Sequence, residues 1–282
     1  MPLTKVLVTV KTYPTISSKY EELVCTAGFL EDGTFIRIYP IQFRKKEYSQ
    51  QYKKYEWIEI DIVKNKSDFR PESYRPFSHD TQISIVGHID TRNHWDERKK
   101  YVLGKIYYNL SELIAEAKNK KICTSLAVFK PTQIIDFVVK PVEREWDKAK
   151  LAKLEEERKQ GNLFTQPEDP FKAVPKLPYK FSYKFNDKQE VESTMMIEDW
   201  EIGQLYWNCL KKYEGHDREA KAIADVKKKY FDDFALTKDL FFYLGTTQLH
   251  HYTSHNPFII IGTFHPTLPP QNNKPIQGSL FI

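Results

Sequence analysis

The densest run of side chains able to bind a charged polymer is Arg44-Lys45-Lys46-Glu47-Tyr48-Ser49-Gln50-Gln51-Tyr52-Lys53-Lys54-Tyr55. Cations and aromatics interleave along it. Lysine and arginine neutralise phosphates, while tyrosine rings offer a stacking surface worth roughly 1–3 kcal/mol per base without sequence preference. A second stretch, Lys64 to Pro76, adds Lys64, Lys66, Arg70 and Arg75 with Phe69 and Tyr74 between them, and its two Arg-Pro pairs stiffen the loop. Arg37, on the strand before the first stretch, completes a candidate nucleic-acid-binding set of Arg37, Arg44, Lys45, Lys46, Tyr48, Tyr52, Lys53, Lys54, Arg70 and Arg75. If both loops leave one barrel on the same side, the cationic surface is contiguous. The competing reading is a solvated segment whose tyrosines pack inward.

Other constellations carry weaker chemistry. Glu59 and Asp61 alternate on one strand with Lys64 beyond, so the two carboxylates share a face and could hold one Mg²⁺, as in metal-dependent phosphodiesterases. A solvated strand face has the same pattern. His250, His251, His255 and His265 cluster near the end of the chain, but with no Asp or Glu after Asp239 they read as an ordinary polar loop, not a zinc site. His88, Asp90 and His94 form a similar set. Asp199 and Glu201 flank Trp200 and suit the first turn of a helix, where negative charge meets the helix dipole. No glycine-rich phosphate loop, Ser-His-Asp elbow or Cys-His signature occurs, and no catalytic residue, metal ligand or cofactor is assigned.

Composition sets the frame. An apolar fraction of 40% and an aromatic fraction of 14% support a sizeable core in 282 residues. The net charge of +5 is uneven, because residues 1–130 carry 22 Lys and Arg against 16 Asp and Glu. The first half is therefore the expected polyanion face. Cys25, Cys123 and Cys209 lie far apart without Cys-x-x-Cys spacing, which argues against a disulfide framework or structural zinc. No apolar run reaches bilayer length and the N-terminus lacks a signal-peptide layout, so a soluble cytoplasmic protein is expected.

Elements follow from periodicity. The runs 6–10, 23–30 and 35–39 read as strands, with Glu31-Asp32-Gly33-Thr34 turning the last two into a hairpin. Residues 57–63 alternate as one further strand, and 83–89 as another. Helical patterns cover about 96–106, 111–121, 143–160, 199–210 and 217–231. Strands are expected at 126–129, 133–139, 180–185, 192–197, 240–244 and 258–263. The pattern predicts an α+β, mainly β chain of two small OB-like or PUA-like β-barrel domains with helical insertions. The expected division is a basic barrel at 1–120, a second β domain at 121–265 and an extended arm at 266–282.

Two resemblances add to this. Ser17-Ser18-Lys19-Tyr20, Val24-Cys25-Thr26-Ala27-Gly28 and Phe35-Ile36-Arg37-Ile38-Tyr39-Pro40 resemble an uncharacterised bacterial family. That family is distantly similar to a domain with two oligonucleotide-binding barrels found near mobile-element and phage-defence genes. The resemblance implies nucleic-acid or nucleotide binding without catalysis. The terminal Gln277-Gly278-Ser279-Leu280-Phe281 follows a stretch with four prolines and resembles the peptide by which bacterial replication and repair proteins hold the DNA sliding clamp. It implies partner binding through Gln277, Leu280 and Phe281. Gln160-Gly161-Asn162-Leu163-Phe164 repeats the spacing and is read as a helix end. The sequence reading is thus an accessory nucleic-acid-binding protein, DNA being the expected partner, with a metal-dependent nuclease or an interaction or small-ligand sensor module as alternatives.

Overall fold

The computed structural model describes residues 3–17, 21–78, 80–161 and 174–268, and these residues form three sheets and five α-helices. The arm from 269 onward, with Gln277, Leu280 and Phe281, lies outside the described residues, as do Asn162, Leu163 and Phe164. Strands dominate, and the chain is α+β and mainly β.

The first sheet holds β1 (Thr4–Lys11), β2 (Thr15–Ser17), β3 (Glu21–Phe29), β4 (Phe35–Ile41), β5 (Glu56–Ile60), β6 (Ile62–Lys64), β7 (Ser73–Pro76) and β8 (Ile83–His88). Its order is β6-β7-β4-β3-β1-β5-β8, with β2 on β3. β6 and β8 are the ends of this path and do not pair with one another. β1 lies between β3 and β5, and its Val6 to Val10 run is buried throughout, as a strand covered on both faces requires. The β3–β4 hairpin forms where the sequence places it. Gly33 takes φ +82°, and Leu30 and Thr34 close the turn through a 2.9 Å bond. The single strand expected over 57–63 is instead two, because the chain leaves β1 and β8 at Asp61 and joins β7.

After α1 (Arg92–Val102), whose Asn93, His94 and Trp95 have positive φ, come β9 (Ile106–Tyr107), α2 (Leu110–Lys118), β10 (Leu126–Phe129) and β11 (Gln133–Pro141). Then follow α3 (Lys148–Gly161), β12 (Tyr179–Asn186), β13 (Glu192–Met196), α4 (Trp200–Leu210) and α5 (Arg218–Lys227), which runs on as a π-helical stretch to Ala235. β14 (Phe241–Thr246) and β15 (Phe258–Phe264) complete the order. The second sheet runs β15-β14-β10-β9 and the third β11-β12-β13. Asp199 caps α4, accepting from the Glu201 amide at 3.2 Å. Among the described residues, no helix is long and apolar enough to cross a membrane.

The buried residues form three cores. One belongs to the first sheet, built on Val6, Val8, Ile36, Ile38 and Ile58. A second, aromatic-rich core lies under α2, α4 and α5, and Tyr107, Leu110 and Leu113 contribute to it. The third is shared: Val10, Ala27, Phe29 and Tyr55 pack with Val128, Tyr243, Ile261 and Phe264. Helix α4 also seats on the first half. Gly203 meets the Tyr13 ring so closely that an added Cβ would lie 2.2 Å from a ring carbon. Substituting Gly203→Ala is therefore expected to lower unfolding stability by about 1–3 kcal/mol, read from urea denaturation. Gly104→Ala, with open space around it, should leave the midpoint unchanged.

Candidate nucleic-acid interface

The basic segment is pinned by its apolar members. A 3₁₀ turn at Phe43–Lys45 turns Phe43 inward, where its ring meets the buried Tyr52 edge-on at 4.9 Å, and leaves Arg44 and Lys45 exposed. A second 3₁₀ turn, Tyr48–Gln50, buries Gln50 and presents Tyr48 at 87% exposure. Gln51 donates to the Lys46 carbonyl at 2.9 Å, Gln50 donates to Gln82 Oε1 at 2.6 Å and Lys46 Nζ donates to the Thr81 carbonyl at 2.8 Å. These bonds hold the segment against the loop preceding β8.

The two basic stretches converge here. Lys46 from the first and Arg75 from the second line one cavity of about 150 Å³, together with Gln42, Phe77 and Thr81. Ile41, Ile60 and Ile83 also line it, and among the described residues no carboxylate side chain does. Arg75 is exposed and donates to the carbonyls of Pro76 and Phe77 at 3.2 and 3.3 Å, and the Phe77 side chain is 57% exposed. Lys53 is exposed on the same segment, its amide bonded to Glu56 at 2.7 Å. Phe77 was not among the sequence candidates. The Arg75-Pro76-Phe77 triplet, a cation and a ring held apart by a rigid residue, was the available signal.

Four of the ten candidates are interior and have no surface to offer a polyanion. Arg37 is 2% exposed and donates to Ser125 Oγ at 2.8 Å, the Ser125 carbonyl at 3.1 Å and Ser73 Oγ at 3.2 Å. Arg70 forms a fork with Asp68 at 2.6 and 2.9 Å and reaches the Thr246 carbonyl. Tyr52 bonds Thr26 inside the first sheet. Lys54 donates to Asp199 Oδ2 at 2.8 Å and Glu201 Oε2 at 2.9 Å, joining the first half to the start of α4. The physical reason is common to three of them: the seam between the halves needs cations to partner its carboxylates and carbonyls.

That seam has unusual electrostatics. Lys11 is 9% exposed, with Nζ 4.0 Å from the Phe43 ring centre and 4.8 Å from that of Trp200, and it donates to the Tyr52 carbonyl at 3.2 Å. Burial and the nearby Lys54 charge pull Lys11 down to about 8. Burial alone would lower Lys54 too, but Asp199 and Glu201 hold it above the ordinary lysine range. Burial pushes Asp199 up to about 6 against the pull of Lys54, whereas Lys54 keeps Glu201 below the usual carboxylate value despite burial. His265 stacks on Phe234 at 3.6 Å, and burial, aided by Lys54, depresses it to about 3.

The other constellations disperse. Glu59 lies on β5, while Asp61 sits at the strand break with its carbonyl accepting from Phe77 and its buried Oδ1 without a partner. His250 and His255 are exposed, and His251 is buried between Thr246 and Ala117 at 2.8 Å from each. His94 Nδ1 pairs with Thr267 at 2.7 Å, and Asp90 with Arg92. Among the described residues, no three His, Cys, Asp or Glu side chains are grouped to hold a metal ion.

Two family models match the chain. Domain of unknown function (DUF8758) covers residues 2–104, and Domain of unknown function (DUF8757) covers residues 108–281. No curated protein matches. Among solved structures, one described as a murine DNA binding protein bound with ds DNA aligns over 95% of this chain and 97% of its own. Its sequence identity to this chain is 11% and the TM-score is 0.31.

The histidine at the seam predicts acid sensitivity. An unfolded chain protonates His265 near its ordinary value of 6.5, whereas the native state resists protonation down to about 3. Stability from this group is complete above 6.5 and is lost as pH falls through that window. Asp199, raised to about 6, works in the opposite sense over part of the range. The difference between variants isolates the histidine: between about pH 7 and about pH 4.5, the fall in urea midpoint should be smaller in His265→Phe than in the wild type.

Proposed function

The chain belongs to the family described as Domain of unknown function (DUF8757), and we propose that it binds nucleic acid through the face centred on Lys46, Arg75 and Phe77. One observation carries this reading: basic stretches about thirty residues apart meet at a cavity edged by an exposed ring and lined, among the described residues, by no carboxylate. Arg44, Lys45 and Lys53 extend the cationic surface along the segment, and Tyr48 adds a second exposed ring. Lysine and arginine supply sequence-independent attraction to phosphates, and Phe77 and Tyr48 supply stacking surfaces for unpaired bases. A stacking contribution favours single strands over duplex, whose bases already stack on each other. Glu47 and Asp80, close to these residues in sequence, are exposed and would repel phosphates.

Fluorescence anisotropy with labelled single-stranded and duplex oligonucleotides across ionic strength tests the reading. Single strands should bind with affinity that falls steeply with salt. Lys46→Gln and Arg75→Gln should each reduce the slope of log K against log salt by roughly 0.7. Phe77→Ala and Tyr48→Ala should each weaken binding by roughly 1–3 kcal/mol with little change in slope. No binding at low ionic strength removes the proposal.

A further inference from the structure

A second and larger cavity, about 360 Å³, opens at the seam on another part of the first sheet. It is lined by Phe35 and Tyr74 from the first half and by Tyr107, Thr124, Ser125 and Ala127 from the second. Its size and its position between two packed halves are those of small-molecule sites. Lys105 and the half-exposed Ile122, at 50%, also line it and reach solvent.

The wall carries both hydrogen-bond acceptors and donors. Thr124 donates its hydroxyl proton to Glu116 Oε2 at 2.8 Å, and Tyr107 donates its own to the same oxygen. Ser125 donates to Glu72, which itself lines the cavity, and accepts from Arg37 at 2.8 Å. The hydroxyl protons of Thr124, Tyr107 and Ser125 are thus committed to carboxylates, so Thr124 and the Glu72 carboxylate, which also takes Arg37 at 3.4 Å, offer acceptors, and Tyr74 on the same wall keeps a hydroxyl proton to donate. Lys105, a donor, lies 3.5 Å from Glu116 and is largely exposed. An occupant that brings a donor for Glu72 or Thr124 and an acceptor for Tyr74 or Lys105 is therefore matched, and the aromatic and aliphatic remainder of the wall suits a flat apolar body.

We infer that this cavity binds a planar heteroaromatic amine, the class to which the amino-bearing nucleobases belong. Acceptors on the wall meet its N–H groups, and Phe35, Tyr74 and Tyr107 cover its ring. Cys123, buried and in the left-handed region at φ 53°, is part of the lining, and its Sγ accepts from the Tyr252 hydroxyl at 3.4 Å. The inference is independent of the Lys46–Arg75 face, which lines the other cavity.

Isothermal titration of the full chain with adenosine, cytidine and uridine is the test, with N-ethylmaleimide labelling of Cys123 as a second readout. Uridine matches cytidine in size but carries a carbonyl oxygen where cytidine has its amino group. Adenosine or cytidine should bind and slow Cys123 labelling, and uridine should bind at least about tenfold more weakly. Ile122→Trp, on a half-exposed side chain, should close the cavity and weaken binding by about tenfold or more. Thr124→Val, which removes one acceptor with little change in shape, gives the same direction if the tryptophan variant does not fold. Binding should persist in Lys46→Gln and Arg75→Gln, which separates this site from the oligonucleotide face. Absence of binding by every nucleoside, equal binding of uridine and cytidine, or unchanged affinity in a folded Ile122→Trp or Thr124→Val overturns the inference.

Discussion

A single buried ammonium, that of Lys54, organises the junction on which the rest of the molecule depends. It lies between Asp199 and Glu201 at 2.8 and 2.9 Å, and its side chain is 6% exposed. A charge placed there without partners would cost several kcal/mol, so the segment after the 3₁₀ turns and the first turn of α4 are obliged to meet. Asp199 has two tasks at this point, capping α4 and neutralising Lys54. Trp200, between the two carboxylates, closes over Lys11 with Phe43. The result is a polar clamp surrounded by aromatic rings, where solvent screening is weak and charge interactions are strong.

From that clamp the seam continues as packing. Val10, Phe29 and Tyr55 share a core with Val128, Tyr243 and Phe264, and the Tyr55 and Tyr243 hydroxyls meet at 3.3 Å. Arg37 and Arg70 add polar stitches from the first sheet to Ser125 and to the Thr246 carbonyl. Two sheets joined by a common core cannot slide without exposing apolar surface, so the spaces left between them are preformed. The seam cavity is such a space. Phe35 of β4, Tyr107 of β9 and Ala127 of β10 line it, beside the core that Val10 and Phe29 share with β14 and β15.

The same constraint sorts the cations. Lysines and arginines that look alike along the chain have separate fates, decided by whether the second half covers them. Lys54, Arg37 and Arg70 are drawn inside by carboxylates and carbonyls of the seam, and Arg44, Lys45 and Arg75 stay at the surface. The exposed set is grouped because Phe43 and Gln50 anchor its segment beside the β7–β8 loop, which carries Phe77.

Local features were legible from the residues alone. The hairpin at Gly33 follows from a turn between apolar runs, the Asp199 cap from an acidic residue before a helical pattern, and β14 and β15 from their apolar runs. Each depends on contacts between neighbours in sequence, which composition and spacing record. The break at Asp61 was not legible, because alternation continues through it and only the choice of partner strand changes. Nor was the burial of Arg37, Lys54 and Arg70, whose partners Ser125, Asp199 and Thr246 lie 88, 145 and 176 residues away. Sequence by itself determined that the chain would be strand-rich and that its positive charge would gather in the first half. Tertiary structure decided which of those charges face water, because desolvation is set by whatever part of the fold closes over a side chain, and local pattern contains no record of that.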